Sequence, residues 1–214
     1  MTTFRGFEQA DFDVFTIDGL DERMTELKSR VSPKLQAIAE TVEPTVSSLA
    51  GDEMFVHVAK HARRKTNPPN DTWAALASNK RGYKKLPHFQ VGMWESHVFV
   101  WFAVIYESPI KGDFARQLKN NKQEILSHIP DHFVWSKDHM KPETISHVDM
   151  RNGQFDELVD RLENVKKAEI LCGQTFDRHD ERLQHGETFI KACEETFETV
   201  MSLYNLTKQV QNVS

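Results

Sequence analysis

The stretch NKRGYKKLPHFQ, residues 79–90, carries Lys80, Arg81, Lys84 and Lys85 and no acid, in a chain whose formal net charge is −5. Ammonium and guanidinium groups gathered on one loop make charge-assisted hydrogen bonds to phosphate or carboxylate oxygens. The excess extends upstream, where Lys60, Arg63, Arg64 and Lys65 join these four and Asp71 is the only acid between residues 60 and 88. That segment holds +7 and the rest of the chain −12, so one face should attract anions while the remainder repels them. Arg63, Arg64, Lys65, Lys80, Arg81, Lys84 and Lys85 are the candidate ligand contacts, and Tyr83 and His88 are candidates to stack on a base, as aromatic platforms do in single-strand binders. The plainer reading of the same charges is a solvated loop balancing the acids of the C-terminal helix. Gly82 can let the backbone approach an anion, but neither G-x-x-x-x-G-K-[ST] nor G-x-G-x-x-G occurs there.

Other chemistry is less well marked. Ten histidines are present; Asp177, His179, Asp180, His185 and Glu187 crowd one short stretch, and His57 and His61 fall on the same side of a predicted strand. Neither spacing matches H-E-x-x-H, so Asp177, His179, Asp180 and His185 form only a weak metal alternative. Cys172, before Gly173 at the end of another predicted strand, stands where a nucleophile can be exposed, yet no neighbour in sequence offers a base. Cys193 lies on an apolar stripe and reads as core. No G-x-S-x-G occurs. These residues point to a non-enzymatic protein, without cofactor, that holds a phosphate-bearing or carboxylate ligand through residues 60–88. The alternatives are a metal-assisted enzyme using the Asp/His cluster and a structural protein docking an acidic partner, with nucleic acid as a further candidate polyanion.

The elements that must position these residues follow from periodicity. Phe4, Phe7, Phe12 and Phe15 are too many large apolar groups for a solvated arm, so the N-terminal segment should pack on the core. Leu20, Met24, Leu27 and Val31 recur at helical spacing behind the cap candidate Asp18. Ser32-Pro33 then reads as the start of a second helix, which Pro44 should end or kink. MFVHVAKH reads as a strand, and FQVGMW with HVFVWFAVIYE reads as a hairpin turning near Glu95-Ser96. In its second arm Val98, Val100, Phe102, Val104 and Tyr106 face one way and Phe99, Trp101, Ala103 and Ile105 the other, as in a central strand covered on both sides. Trp94 and Trp101 are explained by cross-strand packing, which leaves little reason to invoke a pocket for a flat ligand. The basic segment is then a loop, broken at Pro68-Pro69-Asn70-Asp71. A helix capped by Asp113, short strands at HFVWS and ETISHVD, an amphipathic helix over FDELVDRLENV, a strand at AEILCGQTF and a helix from about residue 187 to 208 complete the chain.

The order of GFEQADFDVFTIDGLDERM near the N-terminus and RGYKKLPHFQVGMWESHVFVWFAVIYE in the middle resembles the YktB-like family of small bacterial proteins of unknown function. That resemblance covers nearly the whole chain. It implies a compact cytoplasmic α+β fold and supplies no catalytic residues.

A length of 214 residues, 39% hydrophobic and 28% charged, suits one complete core and so a single α+β domain over residues 1–214, with an antiparallel sheet around a central hairpin and helices at both ends. No stretch approaches the roughly 20 apolar residues that cross a bilayer, and the acids of the first residues do not fit a signal peptide. Two cysteines without C-x-x-C spacing read as reduced thiols, so the expected compartment is the cytoplasm. The acceptor patterns at Asn205-Leu206-Thr207 and 212–214 then carry no weight.

Overall fold

Alternation along Val98–Ile105 decides the architecture. The computed structural model describes residues 3–211, so the acceptor pattern at 212–214 lies outside the described residues. Seven strands form one sheet: β1 (Phe55–Val58), β2 (Asp71–Ala77), β3 (His88–Trp94), β4 (His97–Val104), β5 (Val134–Ser136), β6 (Ile145–Ser146) and β7 (Ile170–Asp177). Their order is β1-β2-β3-β4-β7-β5-β6 and every pairing is antiparallel. Val98, Val100, Phe102 and Val104 of β4 enter the large core with the helices. Phe99, Trp101, Ala103 and Ile105 enter a second, smaller cluster on the opposite face, to which, among the described residues, none of the α-helices contributes a residue. The even spread of apolar side chains along β4 thus serves two separate cores.

The helices are α1 (Gln9–Asp13), α2 (Leu20–Glu26), α3 (Ser32–Ala50), α4 (Lys111–Asn120), α5 (Lys122–His128), α6 (His147–Asp149), α7 (Phe155–Asn164) and α8 (Gly186–Gln211). Helix α8 lays Phe189, Cys193, Phe197, Val200 and Tyr204 into the large core, where each fully buried ring or branched chain contributes about 1.5–3 kcal/mol. Phe4 and Phe7 pack on Phe189 with ring centroids 5.9 and 5.8 Å away, which fixes the N-terminal segment against α8.

Several expectations are corrected. Strand β2 was not legible, because DTWAALA is alanine-rich and sits inside the basic segment; all seven of its residues are buried. The segment is therefore two loops flanking a central strand. Ser32-Pro33 does not open a separate helix: residues Leu27–Val31 form a wide π-type turn that joins α2 to α3, and such a turn leaves room for a proline ring that would collide with an ordinary helical carbonyl. Gly19, with φ 87°, precedes α2 in place of an Asp18 cap. Pro44 does not end α3, which continues to Ala50 and stops at left-handed Gly51. Pro44 lies on the exposed side, and an interior proline is tolerated where solvent can reach the carbonyl that loses its helical donor. The helix expected behind Asp113 is divided at Asn121, and Asp113 falls in its first turn instead of capping it.

Candidate functional site

The helix-free face of the sheet has two glycines that make its aromatic rows possible. A Cβ on Gly92 would collide with the Phe99 ring, and one on Gly173 with the Trp101 backbone. Phe99 and Trp101 can therefore lie flat over the sheet, stacked with centroids 4.4 Å apart. Trp101 stands opposite Gln90 in the β3–β4 register and donates its indole N–H to the Gln90 side-chain Oε1 at 3.0 Å. The Gln90 amide donates in turn to His88 Nε2 at 2.8 Å, and His88 Nδ1 donates to the Leu86 carbonyl at 2.7 Å. Burial holds the His88 imidazole neutral, with its pKa pushed down to about 4. His88 is thus a fully satisfied support beneath the surface. This corrects its expected place among the ligand contacts.

Above this row the two basic loops meet over Trp73 of β2. The turn Tyr83–Lys85 follows Gly82, whose φ of 70° reverses the chain. Trp73 donates to the Tyr83 hydroxyl at 2.9 Å, and Lys84 Nζ sits 5.4 Å from the centre of the Trp73 ring. From the β1–β2 loop, His61 meets the same indole edge-on at 5.6 Å. Burial, with Arg64 and Lys84 nearby, pushes the His61 pKa down to about 4, so His61 adds no positive charge at neutral pH.

These loops enclose a cleft of about 440 Å³ whose lining includes Lys60, Arg63, Arg64, Lys84 and Lys85, a volume suited to a small molecule. Glu107 is the one carboxylate residue of that lining. None of the eight cations of residues 60–88 forms an ion pair among the described residues. The acids of α8 therefore do not neutralise them. Arg64 is oriented by its own loop, donating to the Asn67 and Pro68 carbonyls at 3.3 and 3.2 Å.

Other sequence candidates lie elsewhere. Lys65, Lys80 and Arg81 are exposed and outside the cleft lining; Lys80 Nζ covers the Phe55 ring at 5.1 Å. Tyr83 lines the cleft, but its ring is stacked on His57 at 4.9 Å and met edge-on by His88 at 5.2 Å. Its hydroxyl is thus better placed than its ring for contact with a ligand. His57 and His61 do not share a strand face, because β1 ends at Val58 and His61 turns at φ 49°. Asp177, His179 and His185 are exposed, and Asp180 is bound by Arg182 at 2.6 Å. Cys172 is not an exposed strand end but a fully buried thiol in the large core, its pKa pushed well up by burial. Trp94 and Trp101 are both buried in the second cluster, as the packing reading expects, with Asp71 opposite Trp94 and Gln90 opposite Trp101.

Three acid–base groups went unread in the sequence. Asp71, 2% exposed, heads β2 on the same face as Trp73. Burial pushes its carboxyl up to about 6, against the pull of His139, Arg64 and Lys84. His139 and Glu169 form a buried pair, with His139 Nδ1 2.7 and 2.9 Å from the two Glu169 oxygens and the His139 backbone N–H donating at 2.9 Å. The His139 ring touches Trp73 edge-on at 6.3 Å and stacks on Tyr106 at 6.5 Å. With Asp138 this pair makes a group of metal-type donors mutually within 4.8 Å, the only such group of three among the described residues. The His139–Glu169 hydrogen bonds already account for the closeness of those two residues. The legible signal was Glu169 itself, an acid directly preceding the apolar run Ile170–Cys172.

A single α+β domain with an antiparallel seven-stranded open sheet, helices on one face and a basic cleft on the other, is the class of protein these features define. Residues 7–204 match the family model described as "Domain of unknown function (DUF1054)". The chain is similar to a UPF0637 protein of Bacillus velezensis, 52% identical over 210 residues that cover 98% of this chain and 100% of the relative. A UPF0637 protein of Bacillus licheniformis is 52% identical over 204 residues, covering 95% of this chain and 97% of the relative. One of Shouchella clausii is 46% identical over 203 residues, covering 94% of each. The chain belongs to this DUF1054/UPF0637 family of bacterial proteins, in keeping with the resemblance read from its sequence.

Proposed function

We propose that the chain binds a small anion, phosphate-bearing or carboxylate, in the cleft between the β1–β2 and β2–β3 loops. The observation that carries this reading is the convergence of Lys60, Arg63, Arg64, Lys84 and Lys85 on one concavity, with no carboxylate paired to any of them among the described residues. Like charges held together without partners repel, and an anion that enters relieves the repulsion. The small volume favours a compact ligand over a polyanion or an acidic protein surface. Aromatic stacking of a nucleobase is disfavoured because Trp73 and Tyr83 already have ring partners. The two buried free thiols suit the reducing cytoplasm as its place of work, and no helix among the described residues is long and apolar enough to cross a membrane.

The test is calorimetric titration with inorganic phosphate at increasing sodium chloride. Binding at low salt that weakens steadily as salt rises is expected. Absence of binding at low salt, or an affinity indifferent to salt, overturns the reading.

A further inference from the structure

Beneath the cleft, outside its lining, the sheet has a chemical feature that a simple anion carrier does not need. Five fixed cations suffice to hold an anion, yet a carboxylate, Asp71, is buried on the same face of β2 as Trp73. Apart from its own backbone N–H, no donor reaches that carboxylate. The charges that act on it come from each element packed around it: Arg64 from the β1–β2 loop, Lys84 from the β2–β3 turn and His139 from the β5–β6 connection, with Tyr83 also within electrostatic reach. Opposite Asp71 in the β2–β3 register is Trp94, whose indole N–H is buried without an acceptor. The buried Trp94 N–H, unpartnered among the described residues, therefore shares a cross-strand row with the buried Asp71 carboxyl, two residues along β2 from Trp73 of the cleft lining. Native interiors rarely leave such groups unpaired without a functional reason.

His139 supplies the second half. Both Glu169 oxygens hold its Nδ1, and the carboxylate is itself fixed by the backbone N–H groups of His139 and Tyr106. This orients the imidazole and leaves Nε2 without a partner among the described residues, the arrangement by which a carboxylate prepares a histidine for proton transfer. Trp73 joins the two halves, touching Lys84 and His61 at the cleft and His139 behind it.

We propose that Asp71, backed by the His139–Glu169 pair, is a proton-transfer site that serves the cleft, equipping the chain as an acid–base enzyme for a small substrate whose phosphate or carboxylate group is held by Arg64 and Lys84. This inference rests on the anion-binding reading above. An anion seated on Arg64 and Lys84 competes with Asp71 for their charge, so occupancy drives a proton onto Asp71, where it is available for transfer. Burial already brings the Asp71 carboxyl up to about 6, so a bound anion need supply only part of that shift.

The experiment uses the full chain and sulfate, which does not titrate near neutrality. Calorimetry at pH 6 in two buffers of different ionisation enthalpy counts the protons taken up per sulfate bound. Uptake approaching about half a proton is expected for the unaltered protein, since Asp71 is close to half ionised there, and Asp71→Asn should bind sulfate at least as well with the uptake lost. The His139 ring resonances should move on sulfate addition in the unaltered protein and stay fixed in Asp71→Asn. Sulfate binding without proton uptake, or uptake that survives in Asp71→Asn, overturns the proton-transfer proposal and leaves anion binding standing. Stationary His139 resonances in the unaltered protein overturn the part given to the His139–Glu169 pair. No sulfate binding at low salt overturns both readings.

Discussion

The indole N–H of Trp73 donates to the Tyr83 hydroxyl at 2.9 Å, and this one bond ties the floor of the cleft to the turn that carries Lys84 and Lys85. Tyr83→Phe removes the acceptor and leaves a largely buried indole N–H unsatisfied. The cost should be about 1–3 kcal/mol, seen as a lower urea midpoint with an unchanged slope. Because the turn loses its tether, phosphate affinity should also fall. An unaltered midpoint would mean that the hydroxyl does not hold the turn.

Charge substitutions separate the cleft from the rest of the basic segment. Arg64→Ala or Lys84→Ala should each weaken phosphate binding about tenfold or more, the effect of losing one charge-assisted hydrogen bond, and should reduce its salt dependence. Lys65→Ala and Lys80→Ala, outside the cleft lining, should change affinity less than twofold. Glu107→Gln should tighten binding by removing the only carboxylate of that lining. Equal losses across all four cation variants would indicate a diffuse field in place of a built site. Calorimetry with inorganic phosphate distinguishes these outcomes.

The stability profile against pH should bear the mark of His88. Its folded pKa of about 4 lies below the unfolded value of 6.5, so the unfolded chain takes up a proton first as pH falls. The stability it supplies is whole above pH 6.5 and is lost progressively toward pH 4, amounting to about 3 kcal/mol by the shift alone. His61 and His97, each lowered to about 4, act in the same window. Asp71 acts in the opposite sense, because its raised pKa favours the folded state as pH falls through 6 toward 3.8. The net expectation is falling stability from pH 6.5 to 4. His88→Gln should flatten part of that slope while lowering the plateau at pH 7, measured by urea unfolding across the range.

What the sequence disclosed depended on whether a signal was local. The two faces of β4 were legible because alternation at Val98–Ile105 is a property of consecutive side chains, although Tyr106, expected beside Val104, lies past the strand end, exposed and stacked on His139; α8 was legible because Phe189, Cys193, Phe197, Val200 and Tyr204 repeat at helical spacing. Strand β2 was not, since alanine is a weak strand former and Trp73 alone gives no period. The continuous α2–α3 passage was hidden because Pro33 and Pro44 are helix breakers unless a wide turn or an exposed face accommodates them. The density of cations at residues 60–88 was plain, but which five share a cleft is set by the pairing of β2 with both neighbours. Asp71, His139 and Glu169 were unread because His139 follows Asp71 by 68 positions and Glu169 follows His139 by 30. Only the sheet order β2-β3-β4-β7-β5 brings them to one face.

Glu169 offers the sharpest test of how that distant constellation is held. Its carboxylate accepts from the His139 backbone N–H at 2.9 Å, from His139 Nδ1 at 2.7 Å and from the Tyr106 backbone N–H at 3.4 Å, all in a site where Glu169 is 3% exposed. Glu169→Ala strands these donors away from water and should cost several kcal/mol, about 1–3 kcal/mol for each buried donor left unpaired. Glu169→Gln keeps the shape and one acceptor oxygen but sets an amide N–H₂ against donors, so its loss should be smaller and still measurable. The expected order of urea midpoints is the unaltered chain, then Gln, then Ala. A midpoint for Glu169→Ala equal to that of the unaltered chain would show that the carboxylate does not organise the β5–β6 connection, because donors that lose nothing when their acceptor is deleted were never satisfied by it.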